Sequence, residues 1–161
     1  MIQIEPIEPF QIEAAKRVIL SVARNNFHWQ APLDEIIHQF NERGELNDVD
    51  HYRTAYLNRK GLFLVVTDQG HVVGTGAIRQ FEDDTAELKR LWLLEAYHGQ
   101  GIGYKLVKTL FGFARNQGFM RVRLLTDRRQ SRAIRFYQQV GFQRIDCPSD
   151  DPNDICMEMT F

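Results

Sequence analysis

Three of the eleven glycines fall within five residues, Gly99, Gly101 and Gly103, directly ahead of the apolar stripe Ile102, Leu106, Val107, Leu110, Phe113 and Ala114. The stripe repeats at helical spacing and Gly118 stands where a C-cap belongs, so the segment reads as an amphipathic helix. Upstream, Thr85 to Leu94 reads as a strand. Strand, glycines and helix in that order let backbone N–H groups converge on an anion at a helix N-terminus. A phosphate-type ligand is the functional expectation; the plainer alternative is a glycine turn that only caps the helix. A Walker A loop would need Gly-Lys-Ser/Thr, and a dinucleotide fingerprint would want a small residue where Tyr104 stands.

The rest of the chain fits a mixed α/β order. Ile2 and Ile4 alternate with polar residues, and Ile12, Ala15, Ile19, Val22 and Ala23 mark a helix over about 10–23. A second helix starts at Pro32-Leu33 and ends by Gly44, and a short third one is expected over His51 to Asn58. Leu62–Thr67 and Val72–Ile78 flank Asp68-Gln69-Gly70 as a hairpin. A strand at Val122–Thr126, a helix from Ala133 to Val140 and strands at Phe142–Ile145 and Ile155–Thr160 complete the order. No proline occurs from Leu33 to Cys147, where ladder and helix N–H groups are needed. The expected fold class is α/β in the α+β sense, a mixed, mostly antiparallel sheet flanked by helices. One domain over 1–161 is expected, with 1–60 a helical substrate-side region and 61–161 the ligand-binding core.

Twenty basic and twenty-one acidic residues leave a net charge of -1, which argues against a general nucleic-acid binder. No apolar run is long enough for a membrane span and no basic leader precedes one. With two cysteines, Cys147 and Cys156, in no CxxC spacing, a reducing cytoplasmic setting is expected, with both thiols as small buried hydrophobes. His28, His38, His51 and His71 form no metal spacing and no serine sits in Gly-x-Ser-x-Gly, so neither a metal nor a serine hydrolase is expected.

His98-Gly99-Gln100-Gly101-Ile102-Gly103, preceded by Glu87-Leu88-Lys89-Arg90-Leu91-Trp92-Leu93, resembles the acetyl-CoA motif and fourth strand of the GNAT family of N-acetyltransferases. Arg132 to Phe142 is similar to that family's C-terminal signature, and the likeness runs from about Leu62 to Phe161. It departs at His98, where the family carries Arg or Gln, and at Gln130, where it commonly carries Asn; His98 can still offer a backbone N–H. The resemblance implies a GNAT-like fold and an acetyltransferase that uses acetyl-CoA as co-substrate and no metal. A primary amine would attack the thioester directly. Cofactor contacts would come from Leu91, Trp92 and Leu93, from the run His98, Gly99, Gln100, Gly101, Ile102, Gly103 and Tyr104, and from Gln130, Ala133 and Tyr137.

The resemblance makes Tyr137 the general acid at the departing sulfur; the alternative is a core tyrosine. A regular strand would put Glu87, Lys89, Leu91 and Leu93 on one face, so Glu87 is the candidate base. Otherwise it is a strand carboxylate paired with a nearby Arg or Lys, and a water relay takes the proton. Of Arg121, Arg123, Arg128, Arg129, Arg132 and Arg135, one or two could meet the 3′-phosphate, and most belong to solvated surface. Asn25 to Trp29 with Asp34 and Glu35 could line a cation-binding acceptor site, or Phe27 and Trp29 simply pack the helices. Expected partners are a small-molecule or peptide amine, with no nucleic acid or membrane and a homodimer left open. A non-catalytic acyl-CoA sensor is the main rival, and an interaction protein whose glycines only cap a helix is the other.

Overall fold

A computed structural model describes residues Met1–Phe161. Seven strands form one sheet: β1 (Ile2–Pro6), β2 (Leu62–Asp68), β3 (His71–Glu82), β4 (Thr85–Leu93), β5 (Arg121–Asp127), β6 (Gln143–Ile145) and β7 (Asp154–Thr160). Their spatial order is β1-β2-β3-β4-β5-β7-β6, antiparallel throughout except for the parallel pair β4–β5. The helices are α1 (Ile12–Phe27), α2 (Leu33–Arg43), the single turns α3 (Asn47–Asp50) and α4 (Tyr52–Ala55), α5 (Ile102–Asn116) and α6 (Ser131–Val140). The expected mixed sheet with flanking helices is therefore present. Two local readings differ: α1 runs four residues past Ala23, to Phe27, and the helix expected over His51 to Asn58 is only the turn α4 and a 3₁₀ turn at Leu57–Arg59, with α3 a further turn ahead of it. His51, between α3 and α4, has non-helical angles (φ -113°, ψ 45°) that interrupt the ladder.

Strand periodicity divides the core into two layers. Leu64, Val66, Ile78, Leu88, Val122, Leu124 and Met157 face α5, where they meet Leu106, Leu110 and Phe111. Phe63, Val65 and Ala77 face the opposite way, against Ala15, Ile19 and Leu20 of α1 and Ile36 of α2. β2 is thus apolar on both faces because both are covered. Gly76 is needed for close approach: a Cβ there would sit 3.1 Å from Leu106 Cδ2, so α5 packs almost onto the β3 backbone.

β4 carries one irregularity that sets the site. Ala77 pairs with Lys89 and Thr75 with Trp92, so Gly76 alone opposes Arg90 and Leu91. This is a bulge, with Arg90 in the left-handed region at φ 54°. The Thr75 hydroxyl, fully buried, donates to the Arg90 carbonyl at 2.6 Å. The Arg90 side chain reaches the other way, to Asp48 Oδ1 and Oδ2 at 2.7 and 3.0 Å and to the Glu45 carbonyl at 3.1 Å.

The extra residue reverses the alternation, which corrects the expectation that Glu87, Lys89, Leu91 and Leu93 share a face. Leu91 and Leu93 pack with the α5-side core, while Trp92 packs with the α1-side core. A second correction concerns the cysteines: Cys147 and Cys156 are joined in a disulfide, with Cα atoms 5.2 Å apart, and are not two free hydrophobes. The β6–β7 register, which pairs Ile145 with Cys156, brings them together. No helix is long and apolar enough to cross a membrane, and no cluster of His, Cys, Asp and Glu has metal-site geometry.

Candidate active site

β4 and β5 pair only from Thr85 with Arg121 to Glu87 with Arg123. Beyond that, β4 stays with β3 to Leu93 and β5 stays with β7 to Asp127, so the two strands diverge. The gap is the mouth of a cavity of about 770 Å³. Its walls are the end of α1, β4 from Leu91 to Leu93 with Leu94 after it, the loop into α5 and the first turns of α6.

The loop into α5 is a ready anion cradle. Gly99 (φ 77°) and Gly101 (φ 78°) are left-handed, a conformation costly for residues with a Cβ. An added Cβ at either would meet nothing within 4 Å, so the space above them is open. From Gly99 through Tyr104 no backbone N–H donates to an acceptor in the chain, and no side chain caps α5. Consecutive free N–H groups at the positive end of a helix fit a diphosphate.

His98 plays a different part from the one its backbone suggested. Its N–H is already given to the Glu95 carbonyl at 3.0 Å, so the cradle starts at Gly99. Its ring braces the loop: Nε2 lies 2.8 Å from the Leu93 carbonyl, which can only accept, so that nitrogen carries the proton. Nδ1 is buried without a partner. Gln100 points its amide back to the Ala96 carbonyl at 3.2 Å and does not line the cavity.

Leu91, Trp92, Leu93, Gln130, Ala133 and Tyr137 all face the cavity, as do the cradle residues other than Gln100. Tyr137 is held by edge-on contacts with Phe136 and Phe142, each with centroids 5.8 Å apart. Burial pushes its hydroxyl up to about 12, so it keeps its proton at neutral pH.

Glu87 is not brought to this site. It lies on β4 before the bulge, 3.4 Å from Arg79 Nε and 3.9 Å from Lys89 Nζ, and is not among the residues lining the cavity. In register it stands between Arg79 of β3 and Arg123 of β5, and Arg123 in turn faces Glu158 of β7. The carboxylate is one rung of a cross-strand charge ladder. Asp34 and Glu35 are also elsewhere: Asp34 pairs with Arg17 at 2.9 Å and Glu35 accepts from Gln39. Phe27 stacks on Trp29 and Trp29 meets Phe40 at a tilt, with centroids 5.7 and 5.6 Å apart, a row that packs α1 on α2.

The end of α1 supplies residues that the sequence had not singled out one by one. Ser21, Val22, Asn25, Asn26 and His28 line the cavity. The Asn26 amide donates to Gln130 Oε1 at 3.1 Å, and the Arg129 guanidinium lies 4.9 Å from the Phe27 ring centroid. Arg129 is itself clamped by Asp127 at 2.7 and 2.8 Å. These contacts tie α1 across the cleft to the start of α6. Of the arginine run, Arg129 and Arg132 reach the cavity. Of the segment Asn25 to Trp29, expected as an acceptor site, Asn25, Asn26 and His28 line the cavity and Phe27 and Trp29 do not.

The profile of the Acetyltransferase (GNAT) family matches residues 16–142. Over 102 residues the chain is 33% identical to the uncharacterized N-acetyltransferase YjgM of Escherichia coli, covering 62% of this chain and 61% of that one. Over 103 residues it is 36% identical to mouse (Mus musculus) N-acetyltransferase 8, covering 60% of this chain but only 45% of that relative. The chain thus spans about half the length of the mammalian relatives it matches. A GNAT-family acetyltransferase from Staphylococcus aureus Mu50 superposes with a TM-score of 0.82 at 23% identity over 99% of both chains. The PaiA N-acetyltransferase of Thermoplasma acidophilum, crystallised with coenzyme A, superposes with a TM-score of 0.81 at 23% identity, over 100% of this chain and 99% of that one. At that identity the likeness is one of fold.

Proposed function

This chain belongs to the GNAT family of acetyltransferases, and from that premise we propose that it transfers the acetyl group of acetyl-CoA to a primary amine by direct attack. The observation that carries the reading is the unbroken row of free N–H groups from Gly99 to Tyr104, opening on a cavity between two splayed strands. Six adjacent donors with open space above two left-handed glycines fit a diphosphate better than they fit a helix cap. The acceptor is an amine of a small molecule, an amino acid or a peptide.

When bound, the co-substrate supplies an activated acyl thioester. The cradle would hold its diphosphate, and Arg132, unpaired at the cavity wall, would meet a further phosphate. The diverging edge of β4 at Leu91–Leu93 would orient the pantetheine arm, with Gln130 and Ala133 opposite. Tyr137, protonated at neutral pH, would donate to the leaving sulfur as the carbon–sulfur bond breaks. Because Glu87 is tied to Arg79, its role would be to hold β3, β4 and β5 in register, and the amine must lose its proton to another group.

Calorimetry with acetyl-CoA, paired with thiol release across a panel of amines, tests the reading. Binding together with turnover on at least one amine is the expected result. Binding with no turnover on any amine would leave an acyl-CoA sensor, and absence of binding would reduce the glycines to a helix cap.

A further inference from the structure

We infer that His28 accepts the proton from the attacking amine. The inference rests on the acetyl-transfer reading above. Three cavity-lining side chains, His28, Glu95 and His98, carry an acceptor atom that can serve as a general base. His98 is used up: Nε2–H is given to Leu93 and Nδ1 is sealed from solvent. Glu95 stands in the 3₁₀ turn Glu95–Tyr97 whose carbonyl receives the His98 N–H, at the diphosphate end of the cleft. His28 is on the other wall.

Its backbone is fixed while its ring is free. His28 ends α1 in the left-handed region (φ 56°, ψ 39°), where its N–H donates to Arg24 and Asn25 carbonyls and its own carbonyl accepts from the Gln30 amide at 3.0 Å. No group of the chain bonds to its imidazole, which is exposed to the cavity. The left-handed angles are those of a helix C-cap and fix the direction in which the ring leaves α1. Directly before it, Asn26 and Phe27 engage Gln130 and Arg129 across the cleft. These two contacts hold the end of α1, where His28 stands, to the residues that lead into α6, the helix that carries Tyr137. Base and acid therefore enter one cavity from different walls, the arrangement that proton transfer in two directions requires.

The step balances. The amine lone pair forms the new carbon–nitrogen bond and its N–H proton passes to a free His28 nitrogen, directly or through one water. The carbon–sulfur pair leaves with sulfur, which takes the Tyr137 proton, and the His28 imidazolium returns a proton to the tyrosinate through water.

His28→Asn removes the base and keeps a residue that tolerates the left-handed region. On an amine that the wild type turns over, kcat will fall about 10²-fold or more, with acetyl-CoA affinity held within about twofold on the calorimetric scale. In His28→Gly, added imidazole will restore part of the rate. Independently of turnover, diethyl pyrocarbonate will modify His28 in the free protein, and bound CoA will slow that modification. Three results overturn the assignment: wild-type kcat in His28→Asn, an equal modification rate with and without CoA, or loss in Glu87→Gln with none in His28→Asn. A wild type that neither binds acetyl-CoA nor acetylates any amine fails the broader reading and this one with it. CoA binding and turnover with an indifferent His28 fails this one alone.

Discussion

Arg90 and Asp48, 42 positions apart, form a two-pronged ion pair at 2.7 and 3.0 Å, and Arg90 is the left-handed bulge residue of β4. Asp48 also accepts the Tyr56 hydroxyl at 2.6 Å. The pair therefore fastens the α3–α4 segment to the point where β4 changes face. Both side chains are about four-fifths shielded, at 21% and 18% exposure. Asp48→Ala will strand a largely shielded guanidinium and a buried tyrosine hydroxyl. Urea unfolding should show a loss of about 2–3 kcal/mol, below the 3–5 of fully buried pairs because some solvent remains. A loss under about 0.5 kcal/mol, the size of an ordinary surface change, would mean the bulge stands without the clamp.

The same pair has a pH signature. Burial raises the Asp48 carboxyl, but the hydrogen bonds and charge of Arg90, with the Tyr56 hydroxyl, outweigh it and leave the group below its usual range. A carboxylate depressed on folding stabilises above its unfolded value, about 3.9, and loses that contribution as pH falls through the folded value. The stability gap between wild type and Asp48→Asn should be full near neutrality and shrink below about pH 4. A gap that stays constant down to pH 2 would contradict it.

Gly101→Ala tests the cradle. The added Cβ meets nothing within 4 Å, so steric crowding is not the expected cost. The cost is the left-handed backbone, about 1–2 kcal/mol, which the loop can relieve by turning its N–H groups away. Calorimetry should show acetyl-CoA affinity down about tenfold, equivalent to about 1.4 kcal/mol, with the melting temperature little changed. Unaltered affinity would remove the loop from the binding account.

Tyr137→Phe removes one oxygen from a ring whose packing on Phe136 and Phe142 the phenylalanine keeps. Turnover should fall by about 10²-fold while acetyl-CoA affinity holds. If kcat is unchanged, another group or solvent protonates the sulfur.

The Cys147–Cys156 bond closes a loop of sequence separation nine at the β6–β7 edge, away from the cavity walls. In the chain-entropy account a loop this short contributes about 2–3 kcal/mol. Reduction should lower the unfolding free energy from urea titration by a matching amount and leave CoA binding intact, so weakened binding on reduction would tie this edge to the cleft.

Much of the site was readable along the chain. The strand, the glycine loop and α5 announce themselves within about thirty residues, and Gln130, Ala133 and Tyr137 followed from the second signature; all three line the cavity. The face of Glu87 was not readable. Alternation extrapolated from Leu91 and Leu93 fails at one residue, and Arg90 is not a type that signals a left-handed turn. The donor role given to the His98 backbone failed for a similar reason, since the 3₁₀ turn before it takes that N–H. The disulfide escaped because Cys147 and Cys156 fit no local motif and meet only through the β6–β7 register.

What the sequence determined by itself is the glycine loop with its free N–H groups and the helices behind it, because left-handed glycines, helical period and capping act within a few residues of one another. What only the tertiary structure decided is which side chains share the cleft. The bulge at Arg90 turns Leu91 and Leu93 toward α5, while Glu87 stays in the ladder with Arg79. The crossing of α1 to Gln130 brings His28 to a site more than a hundred residues away in the chain. Those outcomes depend on register and on close packing of distant segments, and neither leaves a periodic trace in the order of residues.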